Sequence, residues 1–141
     1  MPTRIAEAEW NGNLLEGKGK VSLGSKAFSG SYDWRGRSGE GAGTNPEELL
    51  GAAHAGCFSM ALSAELSKAG HPPTHIHTTA KVGFEKQGEG FAVTGIHLQT
   101  EAQVPGIDDS AFQKFADGAK TNCPISKALA STKITLEAKL G

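Results

Sequence analysis

A single long helix is predicted in the middle of this chain, between two stretches that alternate in the manner of β-strands. Its start is well marked, because Asn45 can cap a helix, Pro46 suits the first helical position and Glu48 follows the cap by three residues. Apolar residues then recur mostly at spacings of three and four from Leu49 onward, and the pattern stops near Gly70. Many residues of the helix are Ala or Gly, which let a neighbouring element approach the backbone closely. We therefore expect this to be the central helix of the fold.

Alternation of polar and apolar residues on both sides of the helix predicts short strands. The expected elements are strands near residues 5–10, 18–23 and 28–34, with an Asn11-Gly12 turn after the first. They are followed by a hairpin over residues 75–85 and 91–104, helices that open at Asp108 and Pro124, and a last strand over residues 134–138. The glycine-rich segment 35–43 is predicted to be a mobile loop. This order of elements indicates an α+β fold with antiparallel pairing, in a single domain over residues 1–141.

The composition narrows the class of protein. Only 38% of the 141 residues are hydrophobic and 19 are Gly, which predicts a thin core that an oligomer would complete. The 14 basic and 15 acidic residues are scattered, so no nucleic-acid partner is expected. The longest apolar stretches are expected to be far short of the roughly 20 residues that span a bilayer, and the polar N-terminal segment does not resemble a signal peptide. These features predict a cytoplasmic protein without a membrane partner.

Two cysteines, far apart in the chain, are the first candidates for chemistry. In a reducing compartment such a pair is either two buried thiols or a redox couple. Cys57 lies about 16 Å along the predicted helix from its start, too deep for the helix dipole to favour a thiolate, so it would need a cation from elsewhere. Cys123 directly precedes Pro124 and a predicted helix start, where free N–H groups favour a thiolate. Local chemistry alone therefore points to Cys123 as the reactive thiol.

His54 lies three residues before Cys57 on the same predicted helix. It could be a packed or hydrogen-bonded helix residue, a base for the thiol, or a metal ligand. A mixed metal site would have to recruit His75 and His77 from a strand, because no other close cluster supplies further ligands. A packed histidine is the more common outcome, and we expect neither a metal nor another cofactor.

The sequence blocks around both cysteines are distinctive. Residues 44–62 read TNPEELLGAAHAGCFSMAL, residues 104–107 read VPGI and residues 122–127 read NCPISK. These blocks resemble the OsmC/Ohr family of osmotically inducible and organic-hydroperoxide-resistance proteins. The resemblance covers nearly the whole chain and is closer to the OsmC branch. It implies an α+β fold in which two subunits intertwine as a homodimer, with antiparallel sheets around a central Cys-bearing helix.

The resemblance also implies an activity and a set of site residues. The activity is that of a stress-response peroxidase that reduces organic hydroperoxides and hydrogen peroxide and is restored by a thiol or dithiol. Cys57 would be the peroxidatic residue and Cys123 the resolving one, joined by a redox-active disulfide. Arg37 and Glu47 would be the polar partners of the Cys57 thiolate, with Arg35 as the nearby alternative to Arg37.

The chemistry of these residue types agrees with the implied roles. A thiolate attacks a peroxide oxygen and becomes a sulfenic acid, which can condense with a second thiol. A guanidinium such as that of Arg37 stays protonated and would stabilise the developing charge, while Glu47 would orient it. Apolar neighbours of the thiol, namely Leu50, Phe58 and Met60, would suit an alkyl tail. An inactive or metal-binding stress protein of the same fold is the alternative.

Overall fold

A computed structural model describes residues 2–39 and 41–141 of the chain. The elements are β1 (Ala6–Asn11), β2 (Lys18–Leu23), β3 (Ser29–Tyr32), α1 (Trp34–Ser38), α2 (Pro46–Lys68), β4 (His75–Gln87), β5 (Gly90–Gln103), α3 (Asp109–Asn122), α4 (Pro124–Ala128) and β6 (Ile134–Leu140). They divide into an N-terminal unit that ends at Leu49 and a C-terminal unit that runs from Leu50 to Gly141. The single domain expected over residues 1–141 stays a prediction.

The N-terminal unit is built on a three-stranded antiparallel sheet with the order β1-β2-β3. The turn predicted after Asn11 is present, and Gly12 there has φ +100°, which favours glycine. Trp10 and Tyr32 lie on either side of the central strand with ring centroids 5.4 Å apart. A side chain at Gly19 would collide with both rings, so this glycine permits the aromatic contact.

The segment after this sheet differs from its expectation. The mobile loop predicted over residues 35–43 begins instead with α1, which starts directly after Asp33. The Asp33 carboxylate accepts a hydrogen bond from the Gly36 backbone N–H at 2.8 Å and caps the helix. The helix ends at Gly39, whose φ is +128°. Capping by Asp33 therefore determines the local structure here more than the glycine-rich composition does.

The C-terminal unit contains a second three-stranded sheet with the order β4-β5-β6. Helix α2 packs closely on one face of it, because a Cβ on Gly51 would already lie 3.2 Å from the Val82 side chain. Ser59 on α2 also shares a 2.8 Å hydrogen bond with Thr78 on β4. The buried core lies in this unit and comprises Phe58, Leu62, Leu66, Ile96, Leu98, Ala102, Val104, Phe112, Ala116 and Ala119.

One pairing in this sheet departs from the antiparallel expectation. Strands β4 and β5 form the predicted antiparallel hairpin, but β6 pairs with β5 in parallel. A parallel partner needs a crossover connection, and α3 and α4 provide it between β5 and β6. The α+β class holds, since runs of strands and pairs of helices follow one another along the chain and most strand pairs are antiparallel.

Helix α2 begins and ends where the sequence predicts, with the Asn45 side chain accepting from the Glu48 backbone N–H at 2.7 Å and Gly70 at φ +84°. At 23 residues it is, by length and composition, the one described helix that could cross a membrane. The expectation that no apolar stretch is long enough is therefore wrong. A core helix of a soluble protein passes the same test, but only 28% of the apolar window of α2 is buried. A large part of this helix is thus left uncovered.

Candidate functional site

The two cysteines meet in the C-terminal unit. Cys57 lies on α2, and Cys123 is the residue between α3 and α4. Both thiols are free, and their sulfur atoms are 2.8 Å apart. Pro124 explains the position of Cys123, because the residue before a proline avoids helical geometry and here turns the chain between the two helices at ψ 124°. The sulfurs are close enough for a disulfide to form with little movement.

The local surroundings shift the pKa values of the two thiols in opposite directions. Burial raises the pKa of Cys57, and its hydrogen bond to Cys123 raises it further, against a smaller opposing effect of the Ile125 backbone. Burial also raises the pKa of Cys123, but its hydrogen bonds with Cys57, Ser126 and the Ile125 backbone outweigh burial and lower this pKa overall. Within this unit the proton is therefore lost more readily from Cys123, in agreement with the argument from the helix start after it.

Arg37 and Glu47 are joined in the N-terminal unit. Arg37 Nε and Nη2 donate to the two Glu47 carboxylate oxygens at 3.0 Å each. The Glu47 side chain is 11% exposed and that of Arg37 37% exposed, so the pair is partly shielded from water. Two parallel hydrogen bonds orient a guanidinium more strictly than one. The orientation of Arg37 by Glu47 thus has a geometric basis, whereas the contact of Arg37 with the Cys57 thiolate stays a prediction.

The start of α2 holds Glu47 in place. Thr44 is buried, and its hydroxyl donates to the Glu48 carboxylate at 2.8 Å. Asn45 caps the backbone of the same turn. Arg35, the alternative to Arg37, lies two residues earlier on α1. The bidentate pair with Glu47 favours Arg37 of the two arginines.

His54 is fully buried, and its Nε2 lies 2.8 Å from the Ser126 hydroxyl. Its Nδ1 is buried without a hydrogen-bond partner, and burial lowers the pKa of the imidazole. The packed, hydrogen-bonded role is therefore the one observed. In residues 2–39 and 41–141 no group of three or more His, Cys, Asp or Glu side chains could hold a metal, so His75 and His77 do not complete a site with His54.

Two details of the site differ from what the sequence predicts. Ser126 was not singled out, although it follows Cys123 by three residues and its hydrogen bonds act on that thiol. Of the apolar residues expected to receive an alkyl tail, Phe58 is fully buried in the core and cannot line a surface. Met60 is 76% exposed and Leu50 is half-buried, so these two remain open to a ligand.

Comparison with known proteins identifies the family of the chain. A family model described as OsmC-like protein matches residues 39–139. The chain is 48% identical over 135 residues to the protein named Peroxiredoxin OsmC of Escherichia coli strain K12. The aligned region covers 95% of this chain and 94% of that relative. The chain is also 35% identical over 89 residues to the Organic hydroperoxide resistance protein of Xanthomonas axonopodis pv. citri. That aligned region covers 62% of this chain and 61% of the relative.

Solved structures show the same fold. An organic hydroperoxide resistance protein from Elizabethkingia anophelis superposes with a TM-score of 0.76 at 23% identity, over 99% of each chain. An OsmC-like protein of unknown function from Vibrio cholerae superposes with a TM-score of 0.78 at 17% identity, over 98% of this chain and 99% of that one. The OsmC-like α+β fold implied by the cysteine blocks is confirmed, while the homodimer stays a prediction. With the family model spanning residues 39–139 and a relative 48% identical over most of its length, the chain belongs to the OsmC family.

Proposed function

We propose that this chain is a thiol-dependent peroxidase that reduces organic hydroperoxides and hydrogen peroxide through Cys57 and Cys123. The observation that carries the proposal is the 2.8 Å separation of the two sulfur atoms, in a chain with only two cysteines. The relatives named as a peroxiredoxin and as organic hydroperoxide resistance proteins support the substrate class. The two cysteines are far apart in the sequence, so only the folded chain brings their sulfur atoms together.

The proposed reaction has three steps. The Cys57 thiolate attacks one peroxide oxygen, the O–O bond breaks, and the alcohol leaves after it takes up a proton, so that Cys57 becomes a sulfenic acid. The Cys123 thiolate then attacks the Cys57 sulfur, the S–O bond breaks, and the hydroxide that leaves is protonated to water. Two thiol equivalents from an external reductant finally reduce the disulfide by exchange.

Arg37 is assigned the activation of Cys57. The groups around Cys57 in the C-terminal unit raise its pKa overall, so a thiolate at neutral pH needs a cation. A guanidinium supplies a permanent charge and several donors to the peroxide oxygens as charge develops. The bidentate hydrogen bonds from Arg37 to Glu47 would hold the guanidinium in a fixed direction for this task.

A homodimer would complete the fold. Helix α2 carries an uncovered face of small and apolar residues, namely Ala52, Ala53, Gly56, Met60 and Ala64. A side chain as apolar as Met60, 76% exposed on a central helix, is unusual for a surface that faces only water. Small residues around it would let a second α2 approach closely. A cytoplasmic location, which is also our expectation, would keep the two thiols reduced between turnovers.

The test is single-turnover oxidation followed by trapping of the sulfenic acid with dimedone. Cys57→Ser should consume no cumene hydroperoxide, because the attacking sulfur is gone. Cys123→Ser should consume one equivalent and accumulate the trapped sulfenic acid on Cys57. Ser59→Ala, which removes a hydroxyl from the same helix, is the matched control and should keep turnover. Peroxide consumption by Cys57→Ser at the rate of the unmodified protein would refute the assignment.

A further inference from the structure

Two side-chain hydrogen bonds join helix α2 to the Cys123 segment, which comprises residues 123–128. The sulfur atoms of Cys57 and Cys123 are 2.8 Å apart, and His54 Nε2 lies 2.8 Å from Ser126 Oγ. The spacing of the two pairs matches, because His54 precedes Cys57 by three residues and Ser126 follows Cys123 by three. Residues three apart on a helix are neighbours on its surface. The imidazole–hydroxyl pair therefore lies about one helical turn from the pair of thiols.

The backbone makes the Cys123 segment a short hydrogen-bonded unit. The carbonyl of Cys123 accepts from the Lys127 N–H at 3.1 Å, and the Cys123 N–H donates to the Ala119 carbonyl at 2.9 Å. Pro124, at the first position of α4, has its φ fixed by its ring. Ser126 lies within this turn. A contact that holds Ser126 in place therefore also holds the backbone of Cys123.

The imidazole–hydroxyl pair is shielded from water. His54 is fully buried, and Ser126 is 6% exposed. A hydrogen bond between buried groups is costly to break, because each polar group is then left without a partner. Cys57 is only half-buried, and a thiol is a weak hydrogen-bond donor. Of the two hydrogen bonds, the one between His54 and Ser126 is therefore the stronger restraint on the Cys123 segment.

Oxidation alters one of these hydrogen bonds and leaves the other intact. When the Cys57 sulfur becomes a sulfenic acid, the contact between two thiols is lost, because this sulfur now carries an oxygen. His54 and Ser126 are not changed chemically in that step, so their hydrogen bond still restrains the segment when Cys123 has to attack. A disulfide bond is about 2.05 Å long. From their separation in the reduced chain, the sulfurs need to approach by less than an ångström.

We propose that the hydrogen bond between His54 and Ser126 holds the Cys123 segment against α2 and so raises the effective concentration of the Cys123 thiol at the Cys57 sulfur. The inference rests on the proposed function, in which these two cysteines form a disulfide. His54 is a positioning residue here, because it acts on the distance between the sulfurs and does not itself react. Holding two reacting groups together favours their reaction. By linkage, a contact that holds the thiols together in the reduced chain also favours the disulfide at equilibrium.

The first experiment measures the equilibrium of the cysteine pair in the full-length protein with dithiothreitol. Two electrons and two protons pass from the cysteine pair to oxidised dithiothreitol as the disulfide forms. Comparison on the acid plateau of the pH profile, where both thiols are protonated, removes the effect of any change in thiol pKa. His54→Leu and Ser126→Ala should each lower the equilibrium constant on the order of fivefold, as for loss of one hydrogen bond. The double variant should fall no further, since both changes remove the same hydrogen bond.

His54→Gln and Ser59→Ala are the matched controls. Glutamine carries both an N–H donor and a carbonyl acceptor at a similar reach, so His54→Gln should recover most of the equilibrium constant. Ser59→Ala removes a hydrogen bond of the same 2.8 Å length, but one that joins α2 to Thr78 on β4. It should leave the constant unchanged, which separates positioning of the thiols from a general loss of stability. If His54→Leu does not fold, Ser126→Ala and Ser59→Ala make the same comparison.

Rapid mixing with cumene hydroperoxide gives the kinetic counterpart. Disulfide formation in His54→Leu and Ser126→Ala should slow by a similar factor, while sulfenic acid formation keeps the rate of the unmodified protein. Equilibrium constants that are unchanged in these variants, or lowered as much by Ser59→Ala, would overturn the inference, as would a His54→Gln protein no better than His54→Leu. If the unmodified protein forms no sulfenic acid, the proposed function fails, while the dithiothreitol equilibrium still tests the hydrogen bond between His54 and Ser126.

Discussion

The two units of this chain carry different candidate site residues and have very different interiors. The C-terminal unit contains the whole buried apolar core, with Phe58, Leu62 and Leu98 fully buried. Among the described residues of the N-terminal unit, only Gly17, Thr44 and Glu47 are buried, and none is a large apolar side chain. The thiols lie in the first of these environments and the Arg37–Glu47 pair in the second.

The difference in burial bears on the proposed homodimer. A three-stranded sheet without a buried face is marginal in water. The N-terminal unit nevertheless exposes several large apolar side chains, namely Ile5, Leu14, Leu15, Leu23 and Phe28. The C-terminal unit has its own core but leaves Met60 on α2 exposed. Both patterns fit the proposed homodimer, in which a second copy would cover surfaces that the single chain leaves open.

The largest expected effect is on stability in the C-terminal unit. Leu62→Ala leaves a cavity in the core around a residue with no exposed surface, and should lower the free energy of unfolding by about 2–5 kcal/mol. Leu15→Ala, at a position 70% exposed, is the control and should change it by less than about 0.5 kcal/mol. Urea unfolding at one fixed protein concentration measures both. Equal losses would show that the N-terminal unit has a core of its own in the assembled protein.

The next effect is on catalysis by the N-terminal unit. Arg37→Ala should lower kcat/KM for cumene hydroperoxide on the order of 100-fold, as for removal of one preorganised charge-stabilising donor. The pH profile of Cys57 alkylation should also move to higher pH. Arg37→Lys keeps the charge without the planar fork and should fall between. Arg35→Ala is the matched control, and a greater loss there than in Arg37→Ala would transfer the role to Arg35.

A third effect tests the uncovered face of α2. Met60→Glu places a charge at the centre of the proposed interface and should convert the proposed dimer to monomer. Light scattering coupled to size-exclusion chromatography measures the mass of each species. Lys114→Glu introduces the same residue at an exposed position on α3 and should leave the mass unchanged. A Met60→Glu protein that stays dimeric would place the interface elsewhere.

The smallest effect concerns the cap of α1. A backbone hydrogen bond from Gly36, together with the nearby Lys18, holds the pKa of Asp33 below its ordinary value. A lowered pKa means that the charged form is favoured in the folded chain, so this contribution is present above the ordinary pKa and is lost as pH falls through the lowered one. Hydrogen exchange of the Gly36 amide should therefore be several-fold faster in Asp33→Ala, relative to the intrinsic rate at the same pH. Asp33→Asn retains an acceptor and should stay close to the parent rate.

Much of the fold was predictable because the decisive signals are local. The start of α2 at Pro46 depends on a cap and a proline within a few residues, and the turn at Gly12 depends on one backbone angle. The parallel pairing of β6 was not predictable in this way. Its direction depends on the length and path of the crossover, which no single residue encodes. Helix α1 was not predicted, because the glycines of residues 35–43 favour a loop.

The features of the candidate site can also be separated into those that the sequence predicts and those that depend on packing. The sequence by itself determined the two cysteine blocks, the family and the helix depth of Cys57, since these depend on residue identity and short-range spacing. Only the tertiary structure decided that the two sulfurs lie 2.8 Å apart, that Arg37 pairs with Glu47, and that His54 lies 2.8 Å from Ser126. Such contacts join residues from different elements, and a hydrogen bond depends on distances of tenths of an ångström that only packing of those elements sets.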